Sequence, residues 1–180
     1  MNNGETTDRL LKRLEKHSGW TYEHSMRVNT YAMKIGCCLG LESQEMETLS
    51  TASRLHDIGK IAISASLLDR ETALTEKEYG SIKRHTIYGY LLLKSLGYPQ
   101  IICEAVCDHH ERFDGRGYGA KKNMGIAAKI ICGADSYDAM KYGRPYRLKL
   151  TDKEIYKDIT GNNGKQFDPD VCDAMLRVLF

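Results

Sequence analysis

An all-α fold follows from three features of the sequence. Apolar residues recur at intervals of three and four, as in Val28, Tyr31, Ala32 and Ile35, which is the spacing of one helical face. Start and stop residues flank such stripes: Thr75 with Glu78, Gly97 before Pro99, and Asp168 with Pro169. No clear alternation of apolar and polar residues marks strands. At 180 residues and 42% hydrophobic content, the chain suffices for one domain with a sizeable core and is too short for two of ordinary size.

Taken in order, Leu10, Leu11 and Leu14 form the apolar face of a short helix that Thr6 or Thr7 caps and Gly19 stops. Residues 1–20 are expected to be a leader helix that packs on the functional domain, residues 21–180. The next helix runs from about Tyr22 to Leu39, and His24 lies one turn before Val28 on its inner stripe. A third, from about Ser43 to Asp57, carries Leu49, Ala52 and then His56, with Gly59 suited to the stop. After a helical turn between Ser64 and Arg70, the Thr75/Glu78 capping box opens a long helix. Ile82, Gly89, Leu92 and Leu96 share one side of it, and His85 falls on that stripe.

Pro99 restarts a helix in which Ile102 and Val106 lead to His109 and His110. Residues 111–119 are a polar loop too rich in glycine for a core element. A helix from about Gly125 to Lys141 turns Ala127, Ile131 and Ala134 inward, and Asp135 and Asp138 continue that face. Two more helices follow, one from Thr151 or Asp152 and one from Asp168, separated by the turn Gly161-Asn162-Asn163-Gly164.

A net charge of +2 and a pI of about 8.2 give no global attraction to a nucleic-acid polymer. No apolar run approaches the roughly 18 residues of a membrane span, and the start is not a signal peptide, so a cytoplasmic protein with no membrane partner is expected. The six cysteines show no CxxC pair and read mostly as small core residues.

Five of the six histidines and two aspartates sit on apolar stripes or at their ends, on five helices. Each would cost a few kcal/mol if left unsatisfied in a bundle core. One metal centre explains His24, His56, Asp57, His85, His109, His110 and Asp135 together. Two cations can share these groups with Asp57 bridging them, and nitrogen and carboxylate donors without thiolate suit iron, manganese, nickel, cobalt or zinc. A two-metal centre is a standard device for phosphoryl hydrolysis, and Lys60 is placed to hold a phosphate oxygen. The nine residues from Lys141 to Lys149 hold four cations and no acid, with Arg144 and Arg147 flanked by Tyr142 and Tyr146.

The order of these motifs resembles the HD-GYP family of bacterial HD-superfamily phosphohydrolases. The match covers His24 with Arg27-Val28, His56-Asp57-Ile58-Gly59-Lys60, His85, the run from His109 to Tyr118, Ala134 to Ala139, Arg144 to Arg147, and Phe167-Asp168-Pro169. The resemblance implies an all-helical HD-domain bundle with a dinuclear iron or manganese site in its core. It implies hydrolysis of cyclic di-GMP or a related cyclic dinucleotide to linear products by a metal-bridging hydroxide. It assigns the seven residues above to the metals, Asp57 and Lys60 to catalysis, Lys60, Asp138, Arg144 and Arg147 to contacts with substrate phosphate or to organising the site, and Tyr118 to the substrate. The loop 111–119 is the expected contact for a signalling protein partner. Two departures stand out. Trp20 occupies the position of a third-metal glutamate, which favours two metals, and Gly119 replaces the proline of the family's name. The rival readings are a nucleotide or phosphomonoester phosphohydrolase of the wider superfamily, and a non-catalytic cyclic-dinucleotide-binding module.

Overall fold

The computed structural model describes residues 3–68, 70, 72–120, 124–143 and 149–180. Among them the chain forms helices α1 (Asn3–His17), α2 (Gly19–Cys38), α3 (Ser43–Leu55), α4 (Ala65–Leu68), α5 (Glu76–Lys83), α6 (His85–Ser95), α7 (Gln100–Asp108), α8 (Ile126–Tyr142), α9 (Asp152–Gly161) and α10 (Pro169–Leu179). A 3₁₀ helix spans Ile58–Ala62, and no strand forms among the described residues. The expected all-α fold is the observed one.

Helix α2 lies at the centre, packed on α1, α3, α8 and α10. Its Val28, Ala32 and Ile35 are fully buried with Leu49 and Ala52 of α3, Ile130 and Ile131 of α8, and Val171 and Met175 of α10. Leu10, Leu11 and Leu14 of α1 belong to the same core. Burial of each valine, leucine, isoleucine or methionine among them is worth about 1.5–3 kcal/mol.

Local chemistry moves several boundaries from their expected places. Helix α1 begins before Thr6 and ends at His17; the Thr7 hydroxyl instead pairs with Tyr98 Oη at 2.8 Å. Gly19 does not stop α1. It is the first residue of α2, because the Ser18 hydroxyl accepts from Thr21 N and caps that helix. The long helix expected after Thr75 is two, α5 and α6, with Arg84 between them. The capping boxes at Thr75 and Thr151 and the Asp168/Pro169 start form as their sequences indicate.

Gly59 is not a helix stop either. It lies within the 3₁₀ helix, where a Cβ would stand 1.9 Å from the His85 carbonyl oxygen and 2.5 Å from Gly89 N. Only glycine lets the segment after Asp57 rest directly on the start of α6. That contact brings Asp57 to His85.

Candidate metal centre

Three helices end at the same place and contribute a histidine by the same local device. His56 and His109 are the C-cap residues of α3 and α7, and His85 follows the C-cap of α5. Their Nδ1 atoms lie 2.8, 2.7 and 2.7 Å from the carbonyls of Ser53, Val106 and Ile82, each three residues earlier in the last helical turn. Carbonyls of a last helical turn have acceptor capacity to spare, so Nδ1–H donates to them. The proton that satisfies the helix end thereby places the lone pair on Nε2, where a metal takes it. The negative ends of three helix dipoles also meet here, which favours a cation.

His24, on α2, uses a carboxylate for the same purpose. Its Nδ1 donates to Asp138 Oδ2 at 2.7 Å, and Asp138 accepts from Arg27 Nε at 2.8 Å and from Arg27 Nη2 at 3.0 Å. The Trp20 ring stacks on His24, with centroids 5.3 Å apart and planes within 7°. Asp135, one turn before Asp138 on α8, places Oδ1 2.9 Å from His24 Nε2 and Oδ2 3.8 Å from His110 Nδ1.

The donor atoms fall into three overlapping groups of three whose members lie within 4.8 Å of one another: His24, His56 and Asp135; His56, Asp57 and His109; and His85, His109 and His110. Asp57 joins them. Its Oδ2 is 3.8 Å from His24 Nε2 and 3.5 Å from His56 Nε2, and its Oδ1 is 3.2 Å from His85 Nε2. All seven residues expected as ligands are therefore brought together.

The fit to a cation rests on unsatisfied atoms. Five buried side-chain polar atoms lack a hydrogen-bond partner among the described residues, and four are His24 Nε2, His56 Nε2, Asp57 Oδ1 and Asp135 Oδ1; the fifth is Ser25 Oγ. His24 Nε2 and Asp135 Oδ1 face each other at 2.9 Å, while leaving His56 Nε2 and Asp57 Oδ1 unpaired costs about 1–3 kcal/mol each, which a cation among them compensates.

The protonation states of the other four imidazoles and of both carboxylates suit a cation, whereas His24 would have to give up a proton to bind one. Burial lowers His56 and His109, brings His85 down to about 4, and lowers His110, whose side chain is 20% exposed, so these imidazoles are neutral near pH 7. Burial pushes the Asp57 carboxyl up, but Lys60, His56, His85 and His24 outweigh it and hold the group well below the usual carboxylate range. Asp135 follows the same logic through His24 and His110. His24 is raised, since Asp135 and Asp138 overcome its burial.

Lys60 Nζ donates to Asp57 Oδ2 at 2.6 Å and also lines a polar cavity of about 450 Å³ with His85, His110, Asp135 and Tyr118. Tyr118 stacks on His110, centroids 4.7 Å apart. Asp138, expected to contact substrate phosphate or to organise the site, is buried with both its oxygens taken by His24 and Arg27, so it acts through His24. Arg144 and Arg147 lie outside the described residues. The loop 111–119 is pinned more firmly than its glycines suggest. The Glu111 carboxylate accepts from Arg112 N and Gly117 N, and Phe113 N and Asp114 N donate to the carbonyls of Gln166 and Lys165. At Gly119 a Cβ would stand 2.6 Å from Glu111 Cβ, which accounts for a residue without one. Sequence reasoning gave Arg27 no role; its spacing from His24 on α2 was the available signal.

Comparisons with known proteins give the family and the fold. The HD domain family model matches residues 9–171. The cyclic di-GMP phosphodiesterase response regulator RpfG of Xanthomonas campestris is 35% identical over 96% of this chain and 47% of its own length. A cyclic di-GMP phosphodiesterase of Thermotoga maritima is 34% identical over 88% of this chain and 44% of its own. The 3'3'-cGAMP-specific phosphodiesterase 2 of Vibrio cholerae is 30% identical over 93% of this chain and 33% of its own. The chain thus spans less than half of each of these relatives. Among solved structures, the PgpH HD domain of L. monocytogenes in complex with cyclic-di-AMP superimposes with a TM-score of 0.72 at 22% identity, covering 95% of both chains, and shares the fold. The chain belongs to the HD domain family, with the motif order of its HD-GYP branch.

Proposed function

We propose that this chain is a metal-dependent phosphodiesterase that opens a cyclic dinucleotide to a linear product. Its ligands are His24, His56, Asp57, His85, His109, His110 and Asp135, holding two divalent ions with Asp57 between them. The observation that carries this reading is one buried cluster of three overlapping donor groups, in which His56, Asp57 and His109 link His24 and Asp135 to His85 and His110 beside a polar cavity. Nitrogen and carboxylate donors suit iron, manganese, zinc, nickel or cobalt, and iron or manganese is proposed on the family resemblance. When bound, the ions supply an activated water at neutral pH and neutralise charge on phosphate oxygens.

The protein's own groups do the remaining work. Asp57 stays ionised and Lys60 keeps its ammonium on the cavity wall, where it donates to a non-bridging phosphate oxygen as charge builds there. Tyr118 presents a ring beside His110 against which a nucleotide packs. Arg144 and Arg147 are proposed on their motif alone as further phosphate donors. Phe113, 43% exposed on the loop 111–119, supports that loop as a contact for a signalling protein.

Metal analysis of anaerobically purified protein, with chromatography of products from cyclic di-GMP, tests the reading. About two metal ions per chain and a linear product are expected, with both lost in His56→Ala and Asp57→Ala. Full turnover in those variants overturns the assigned site. Faster turnover of mononucleotides would favour a phosphomonoesterase, and binding of cyclic dinucleotide by metal-loaded protein without cleavage would favour a binding module.

A further inference from the structure

The wall of the cavity beyond the metal ligands has chemistry that phosphate binding does not use. Asp158 and the turn residues Asn162 and Gln166 line it, together with Tyr79 from α5. A carboxylate there opposes a polyanionic substrate unless it meets a group that donates hydrogen bonds. Among the described residues Asp158 forms no ion pair, and its side chain receives only a long contact of 3.4 Å from Asn162 Nδ2, which donates more closely to the Asp158 carbonyl at 2.9 Å.

This wall is held in place. Gln166 donates from its amide to Ser136 Oγ at 2.8 Å and accepts from Arg112 Nη1 at 3.1 Å, so both ends of its side chain are fixed. The carbonyl of Asn162 accepts from the backbone N–H groups of Lys165, Gln166 and Phe167, which closes the turn. Lys83 Nζ lies 4.6 Å from the Tyr79 ring centroid and 5.1 Å from that of Tyr118, which ties together the two aromatic residues of the cavity wall.

We infer that this wall reads the nucleobase, and that Asp158 makes it select guanine over adenine. Guanine presents adjacent N1–H and exocyclic N2–H donors, a pair that matches the two oxygens of a carboxylate. Adenine sets one amino donor beside the N1 lone pair, so one Asp158 oxygen would face an acceptor. Discrimination by one such two-point contact is typically about tenfold to a hundredfold. The inference rests on the cavity being the nucleotide site of the proposed phosphodiesterase. It goes further by naming the base and the residue that selects it.

The test compares metal-loaded wild type with Asp158→Asn and Asp158→Ala. Asp158 is an exposed helix residue, so both variants retain the fold. Rates on cyclic di-GMP and cyclic di-AMP are measured, with calorimetric binding of GMP and AMP as a readout independent of turnover. A guanine preference in the wild type that falls about tenfold or more in both variants, in rate or in binding, is expected. A preference unchanged by the substitutions, or a wild type that favours adenine in both readouts, overturns the assignment of Asp158. Absence of turnover with a guanine-selective, Asp158-dependent binding of mononucleotides would instead overturn the phosphodiesterase reading and leave the base-reading wall standing.

Discussion

Asp57 has three imidazole nitrogens and one ammonium within 3.8 Å of its carboxylate. Its neighbour in influence is Asp138, which touches none of the open cavity and yet fixes His24. Asp138→Asn keeps all seven ligands but weakens the hold on the His24 Nδ1 proton, and metal affinity is expected to fall about 10–100-fold. Competition against a chelator of known affinity measures this, and unchanged affinity would remove the positioning role. The imidazoles also set a pH dependence for the metal-free protein. His56, His85, His109 and His110 take up protons below the ordinary value of 6.5 when folded, whereas the unfolded chain takes them up near it. The unfolded state therefore binds more protons as pH falls from about 6.5 toward 4, and stability drops across that window. His24 is raised and acts in the opposite sense, as one group against four. Urea unfolding of metal-free protein at pH 7 and pH 5 shows the loss; equal midpoints would contradict it.

At the scale of elements, apolar periodicity correctly turned His24, His56 and Asp135 toward the core. It could not reveal that three helices stop where their ligands begin. Those stops come from imidazole Nδ1 groups satisfying last-turn carbonyls, and no apolar pattern records a captured carbonyl. Gly59 illustrates the same limit: as a residue type it reads as a helix stop, but its function is a close approach of backbone to backbone. Gly59→Ala forces that contact apart, with an expected loss of about 1–3 kcal/mol in chemical denaturation and displacement of Asp57 from His85. A variant of wild-type stability and metal content would show that the contact relaxes freely. Trp20, one turn from His24, is the one tryptophan in the chain. Its fluorescence is expected to fall on loading with manganese, and to stay constant if no ion binds near His24.

The whole molecule buries its ligand cluster under a core to which α1 contributes. No helix of the described residues is long and apolar enough to cross a membrane. Leu14 is fully buried, so Leu14→Ala is expected to destabilise the domain by about 2–5 kcal/mol. A change within measurement error would show that α1 is a detachable leader.

The seven chemical residues and the helical class were legible in the sequence because both depend on residue type and on a 3.6-residue period, which are local properties. Only the tertiary structure decided how they act. It drew the donors into overlapping groups around Asp57, set Asp138 behind His24, and pinned the loop 111–119 through Glu111 and the turn after α9. Each of these depends on contacts between residues distant in the chain, whose hydrogen-bond partners no local pattern names.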